Sequence, residues 1–345
     1  MTASPLQITP AYRREAEREI RAFTRGWTDR DDRIALASYL GTFAAYFLTL
    51  ALAVLSWPNP LLVIPLVLLN AFAGVRLYVL QHDCGHASLF AKKHHNDLAG
   101  HGLSVFTLTP YRVMQFNHNA HHSHLGNLDE RDTTEIFTMT LAEWQDAPAL
   151  KRLWYRLYRN PFIMIPIGGL FTYVLAYRWP KNSTRTGAAM VLAHNLGLAA
   201  WVGMIWLLAG LPGLIIYGGT VFVAGCIGVF LVYLQHNFED TYWDRKPELN
   251  PARAALQGSS ALDLGWWWDL AVANITYHDI HHFNANIPSY RLRKCHRALR
   301  EKYDVQTIRW PEAIRSFTLK LWDEQAERLV PYPKRATRSN LTPAE

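Results

Sequence analysis

Leu77-Tyr78-Val79-Leu80-Gln81-His82-Asp83-Cys84-Gly85-His86 is the stretch in which an apolar run gives way to metal-binding chemistry. The run before it, residues 61–80, has the roughly 20 residues needed to cross the hydrocarbon core of a bilayer. His82 and His86 follow it directly. If the helix continues past the membrane surface, two residues four apart point the same way.

Two more clusters repeat one spacing, H-x-x-H-H: His118-Asn119-Ala120-His121-His122 and His278-Asp279-Ile280-His281-His282. Imidazole suits zinc, copper, iron and nickel. Eight of the fifteen histidines fall in these three patterns, more than one ion needs, so the pattern points to two. His236 directly follows the last apolar run and is the ninth candidate ligand. Carboxylates and amides flank the clusters: Asp83, Asn119, Asp129, Asp132, Asn237, Glu239, Asp240, Asp263, Asp269 and Asp279. Ligating histidines need such groups to hold the other ring nitrogen. His124 is close enough to the second cluster to act that way. His194 lies inside an apolar run, and His296 reads as a solvated residue of a basic helix.

Outward from the histidines, half of the 345 residues are apolar and 18% are charged, strongly segregated along the chain. That is the layout of an integral membrane protein, all-α, rather than of a soluble globule. The formal charge of +7 suits an anionic membrane surface, and no nucleic-acid-binding motif accompanies it. Three cysteines without a C-x-x-C pair indicate neither a zinc ribbon nor a disulfide framework, and no cleavable signal peptide is read.

Residues 1–34 are polar and basic, with Tyr12, Ala16, Ile20, Phe23 and Trp27 at helical spacing. They predict an amphipathic helix that lies on the membrane or docks on the protein. Residues 35–330 form the membrane domain and 331–345 a disordered tail. Apolar runs cover about 35–57, 61–80, 162–177, 188–209 and 211–234. Were all to span, the third histidine cluster would lie opposite the first two. The run 162–177, the shortest, holds Pro166 and Gly168-Gly169 between Arg159 and Arg178 and is read as interfacial. Four spans in two hairpins remain. Their turns carry no charge, so both termini and every histidine cluster are expected on the cytoplasmic face of the inner or plasma membrane. Gly218, Gly219, Gly225 and Gly228 read as helix-packing residues.

HDCGH also resembles the zinc protease motif H-E-x-x-H, but a protease needs one further ligand, not six or seven. A membrane metal transporter would carry its ligands inside the spans. No Glu-x-x-His pair of the soluble di-iron carboxylate proteins is present.

The order H-x-x-x-H, H-x-x-H-H, H-x-x-H-H over about residues 35–300 resembles the integral-membrane fatty acid desaturase superfamily. HDCGH followed by Ala87-Ser88, GNLDERDT at 126–133, QHNFEDTYW at 235–243 and HHFNANIPSYRL at 281–292 are similar to acyl-lipid desaturases of the omega-6/omega-3 group. The acyl-CoA delta-9 type has a longer first box, from which this chain departs. The resemblance implies four transmembrane helices, a cytosolic helical cap and a non-haem di-iron centre. Its ligands would be His82, His86, His118, His121, His122, His236, His278, His281 and His282. It implies oxygen-dependent desaturation of a lipid-linked acyl chain held in a tunnel. Trp266, Trp267, Trp268 and Phe116 would line that tunnel or belong to an interfacial aromatic belt. No flavin fingerprint and no fused cytochrome b5 segment is present, so two electrons must come from a separate donor, ferredoxin or cytochrome b5-like. The basic surface could receive an acidic donor or lipid head groups. A lipid or carotenoid hydroxylase or ketolase of the same superfamily would use the same histidines.

Overall fold

The computed structural model describes residues 10–131, 136–179, 184–303 and 305–333. Asp132 and the tail from residue 334 lie outside them, as does the side chain of Tyr12.

Helix α1, Pro10–Arg25, buries Ile20 in the core, with Phe23 and Trp27 packed against the same cluster. Glu17 accepts from Asn250 and Glu19 from Tyr303, so α1 docks on the protein. Asp31 caps α2, Asp32–Leu55, by accepting the Arg33 and Ile34 amides. Asn59 caps α3, Pro60–Gly85, whose proline stands where no amide partner is needed. A short turn joins the two helices, and Asn70 Nδ2 ties them by donating to Tyr46 O at 2.6 Å and Thr49 Oγ1 at 2.9 Å. Arg76 is satisfied internally, donating to Thr42 Oγ1 at 3.0 Å, Ser38 Oγ at 3.1 Å and the Leu270 carbonyl. α3 runs past the apolar stretch to Gly85, so His82 is helical and His86 caps the end.

The more polar segment that follows holds α4, Lys93–Leu103, α5, Tyr111–His124, α6, Leu141–Asp146, and α7, Ala149–Tyr158. The run read as interfacial forms α8, Pro161–Leu170, then a π turn over Phe171–Leu175 and a 3-10 turn over Ala176–Arg178. By length and composition alone it could cross a membrane, as could α2, α3 and α9, Ala188–His236. α9 breaks at Gly210, with φ 57° and ψ −149°. The Trp201 and Tyr217 ring centroids are 6.3 Å apart. A straight helix would separate those residues by about 24 Å, so the chain turns back at the break. Leu55, Leu61, Leu207 and Leu208 stand 81–83% exposed, a surface suited to lipid rather than water.

Gly169 of α8 meets α9 so closely that a Cβ there would lie 2.6 Å from Gly225 C. Gly228 has Tyr173 against it in the same way, whereas Gly218 has nothing within 4 Å and is no packing residue.

After α9 come α10, Pro251–Gln257, α11, Trp266–Ala271, α12, His278–Phe283, α13, Ser289–Arg300, and α14, Trp310–Ser316. The fold is mainly helical, as expected, with two small additions. Ala261–Leu262 pairs in parallel with Thr307–Ile308, and Leu321–Asp323 pairs antiparallel with Arg328–Val330. Within the segment expected as a tail, Tyr332 packs on Trp144, ring centroids 4.6 Å apart.

Candidate metal centre

Nine imidazoles converge, and they divide into two groups. His82, His86, His118, His122 and His281 form one; His121, His236, His278 and His282 form the other. Within each group the ligand nitrogens all lie within 4.8 Å of one another. Two nitrogens on one metal at about 2.1 Å are at most about 4.2 Å apart, so little closure separates these groups from a coordination shell. The groups adjoin through His122 and His282, stacked with centroids 4.2 Å apart.

Each element contributes by its own geometry. On α3, His82 and His86 are one turn apart and enter the first group together. On α5, His118 and His122 enter the first group and His121 the second. On α12 the division is reversed: His278 and His282 enter the second group and His281 the first. α9 brings His236 alone.

The protonation pattern fits ligation. His236 Nδ1 donates to the Gly258 carbonyl at 3.1 Å, which leaves Nε2 as a bare lone pair, buried and without a hydrogen-bond partner. His82 has the same arrangement: Nδ1 faces Asp83 Oδ1 at 3.4 Å and Nε2 is buried without a partner. Elsewhere the rings meet nitrogen to nitrogen. His122 Nε2 lies 2.9 Å from His118 Nε2 and 3.1 Å from His281 Nε2. His282 Nε2 lies 3.0 Å from His278 Nε2 and 3.2 Å from His121 Nε2. Such clusters cannot all be satisfied by sharing protons between rings, whereas a cation satisfies every lone pair at once. Burial first, then the neighbouring imidazoles, holds His86, His118, His121, His278, His281 and His282 well below the ordinary imidazole value, and His122 down to about 2. All are therefore neutral at physiological pH, the form that binds metal.

Of the flanking groups, Asp83 adjoins His82 of the centre and Asp279 faces His296 of α13. Asp83 accepts the Ser289 amide at 2.8 Å through Oδ2, which ties the first cluster to α13. Asp279 is fully buried, with His296 Nδ1 3.4 Å from its Oδ2. His296 is therefore buried, not solvated; it stands on the inner face of α13 with Leu292, Cys295 and Leu299. The others serve the scaffold. Asn119 and Asp240 are exposed, and Asp129 pairs with Arg245, Glu239 with Arg315 and Asp263 with Arg309. Asp269 accepts from Thr276 and Tyr277. His124 sits 2.8 Å from Glu130, and His194 Nε2 lies 2.9 Å from Arg178. Phe116, Trp266 and Trp267 are exposed, and Trp268 is buried against Phe72 and Phe230.

Two supports could not be read from the sequence. The Gly258 carbonyl belongs to the backbone. Arg159, fully buried, donates to Thr138 Oγ1 at 2.8 Å, the Phe137 carbonyl at 3.1 Å and Asn237 Oδ1. It thereby fixes the residue after His236, and nothing singles it out among 35 lysines and arginines.

A family model described as fatty acid desaturase matches residues 55–312. A fatty acid desaturase of Bacillus subtilis (strain 168) is 33% identical over 301 residues, 86% of this chain and 86% of that protein. An sn-1 oleoyl-lipid 12-desaturase of Synechocystis sp. is 27% identical over 66% of this chain and 65% of its own length. An sn-1 acyl-lipid omega-3 desaturase (ferredoxin) of Nostoc sp. (strain 36) is 25% identical over 65% of this chain and 63% of its own.

Proposed function

This chain belongs to the fatty acid desaturase family, and from that premise we propose that it desaturates lipid-linked acyl chains with a pair of iron ions, O2 and electrons from a ferredoxin-like donor. The protein is a membrane-bound oxidoreductase with a histidine-rich metal site. One observation carries the finer reading: nine imidazoles in groups of five and four, gathered beside the ends of apolar helices. All nine are the ligands in this reading. The relatives named for oleoyl-lipid and for ferredoxin support the substrate and the donor; a cytochrome b5-like donor would meet the same electron demand.

Iron with open positions and O2 supplies an oxidant able to remove hydrogen from an unactivated C–H bond. The overall change balances as CH2–CH2 + O2 + 2 electrons + 2 protons giving CH=CH + 2 H2O. The residues of the chain hold and orient. Gly258 O and Asp83 fix the ring tautomers of His236 and His82. Burial of the second group would keep bulk water from a metal held there.

Parity supports the topology. His86 and His236 meet at one centre, so an even number of crossings lies between them. α2–α3 and the two arms of α9 are then the four spans, in two hairpins, and 162–177 is interfacial. The membrane domain is 35–330, with the N-terminal segment before it. Termini and metal centre face the cytoplasm, where the Lys/Arg-rich segments lie.

The test is expression in a host fed a labelled fatty acid, with double bonds located by mass spectrometry of fatty-acid derivatives. New double bonds that vanish with His118→Ala or His282→Ala are expected. Oxygenated products would transfer the reading to a hydroxylase, and unchanged unsaturation in both variants would end it.

A further inference from the structure

A cavity of about 420 Å³ lies between α1 and the loop after the third histidine cluster, within the size range of small-ligand sites. Arg21, Arg25, Arg30, Thr28, Asn284 and Asn286 line it. Among the described residues, no carboxylate lies within ion-pair distance of any of the three guanidinium groups. Arg30 Nε is buried without a hydrogen-bond partner. Arg21 is held over the Phe283 ring at 5.1 Å, so its charge stays at the cavity although its neighbours do not neutralise it.

Three unpaired guanidinium groups, a hydroxyl and two amides in a concavity are the donor set for a phosphate, which they meet with planar, bidentate geometry. Two positions decide which phosphate. Arg30 directly precedes Asp31, the cap of the first apolar helix, so the cavity opens at the level where lipid head groups lie. Phe283 is the neighbour of His282 in the metal centre, so a ligand anchored there is within reach of the histidines. The walls are also fixed. The Asp31 amide donates to Tyr290 OH at 2.8 Å and the Ser289 amide to Asp83, pinning the loop between the N-terminal segment and the first cluster. A concave pocket admits a head group more readily than the face of a folded donor protein.

We infer that this arginine cavity binds the phosphate of a phosphoglyceride and so selects phospholipid as the acyl carrier. The inference rests on the acyl-lipid reading above and sharpens it: carriers without phosphate are disfavoured.

The test uses the full-length protein in detergent. Native mass spectrometry compares retention of phosphatidylglycerol with that of a galactosyl diacylglycerol bearing the same acyl chains. Parallel arms add inorganic phosphate, glycerol 3-phosphate, and a reduced ferredoxin. Wild type should retain the phospholipid about ten-fold better or more. Arg25→Gln with Arg30→Gln should abolish that preference while metal content stays at the wild-type level; Lys at both positions should restore part of it. Equal retention of the two lipids overturns the inference. So does a preference that survives the double substitution, inorganic phosphate binding at the arginines without lipid preference, or a loss confined to ferredoxin binding. Retention needs no turnover. Phospholipid selection by a wild-type protein that forms no double bond would therefore uphold this site and refute the desaturase reading alone.

Discussion

Removing one imidazole should not cost the two metal positions equally. The group with His236 has four ring nitrogens and the group with His118 has five. His236→Ala leaves three ligands, whereas His118→Ala leaves four, the number its neighbour holds intact. Loss of a supporting group one bond further out already weakens metal binding 10–100-fold. A ligand lost from the smaller group should cost at least about 100-fold, or about 2.7 kcal/mol. Asp240, one turn further on, is not placed to replace it, being exposed and past the end of α9. The assay is iron per chain by inductively coupled plasma mass spectrometry after gel filtration, over a series of free-iron concentrations set by a chelator. At a concentration that gives wild type two ions, His236→Ala should hold about one and His118→Ala closer to two, with both inactive. Circular dichroism and an unshifted elution volume establish that each variant is folded. Equal loss in the two variants, or loss of both ions from His236→Ala with the fold intact, would refute the division into five and four.

Asp83→Ala leaves two buried donors, the Ser289 amide and His82 Nδ1, without an acceptor. Each costs about 1–3 kcal/mol, so iron affinity should fall about 10–100-fold and the melting temperature in detergent should drop; an unchanged value of both would show Asp83 to be dispensable. Gly169→Ala drives a methyl against Gly225 C, Gly225 O and Cys226 N, at 2.6, 2.9 and 3.0 Å. Because these are backbone atoms, α8 must separate from α9 at about 1–3 kcal/mol, whereas Gly218→Ala, with open space around it, should leave thermal stability unchanged. Burial, with the Arg159 charge adding, pulls the Lys320 ammonium from 10.5 down to about 8. Between those values the unfolded chain binds more protons than the folded one, so stability should rise with pH from about 8 to 10.5. Lys320→Met should flatten that rise in thermal melts, and a slope of the opposite sign would contradict the burial.

The convergence of the nine histidines was legible because spacing on a helix is a local property. His82 and His86 share a face by virtue of being four apart, and the place of His236 directly after the last apolar run singled it out. What each histidine does was not legible. Which group it joins depends on how α5 and α12 face each other, and no stretch of sequence records that. The orienting groups escaped for a different reason: Gly258 acts through its carbonyl, and Ser289 through its amide. His296 was a reading that could have been made correctly. Leu292, Cys295, His296 and Leu299 recur at three and four residues, an inward stripe that outweighs the basic residues around it.

The division of the histidines follows from helix geometry and ends in an asymmetry that the motifs do not contain. At about 100° per residue, positions i and i+4 differ by about 40°, and i+3 departs from them by about 60° and about 100°. An H-x-x-H-H helix therefore serves one point with its outer pair and a second point with its middle histidine. α5 and α12 do this in opposite senses, so each group takes a pair from one helix and a single ring from the other. By that rule alone the groups would match at three and three. α3 adds two rings to the first because it stays helical through Gly85, with His86 capping it. α9 adds one to the second because it stops at His236, where Asn237 leaves helical geometry at φ −121° and ψ 79°. That stop is held by Arg159 on the Asn237 amide and by the Asn237 contact with Ser316 O at 2.9 Å. The difference between the two groups thus turns in part on a helix terminus held by a buried arginine, outside any histidine box, and the smaller group is the more fully buried.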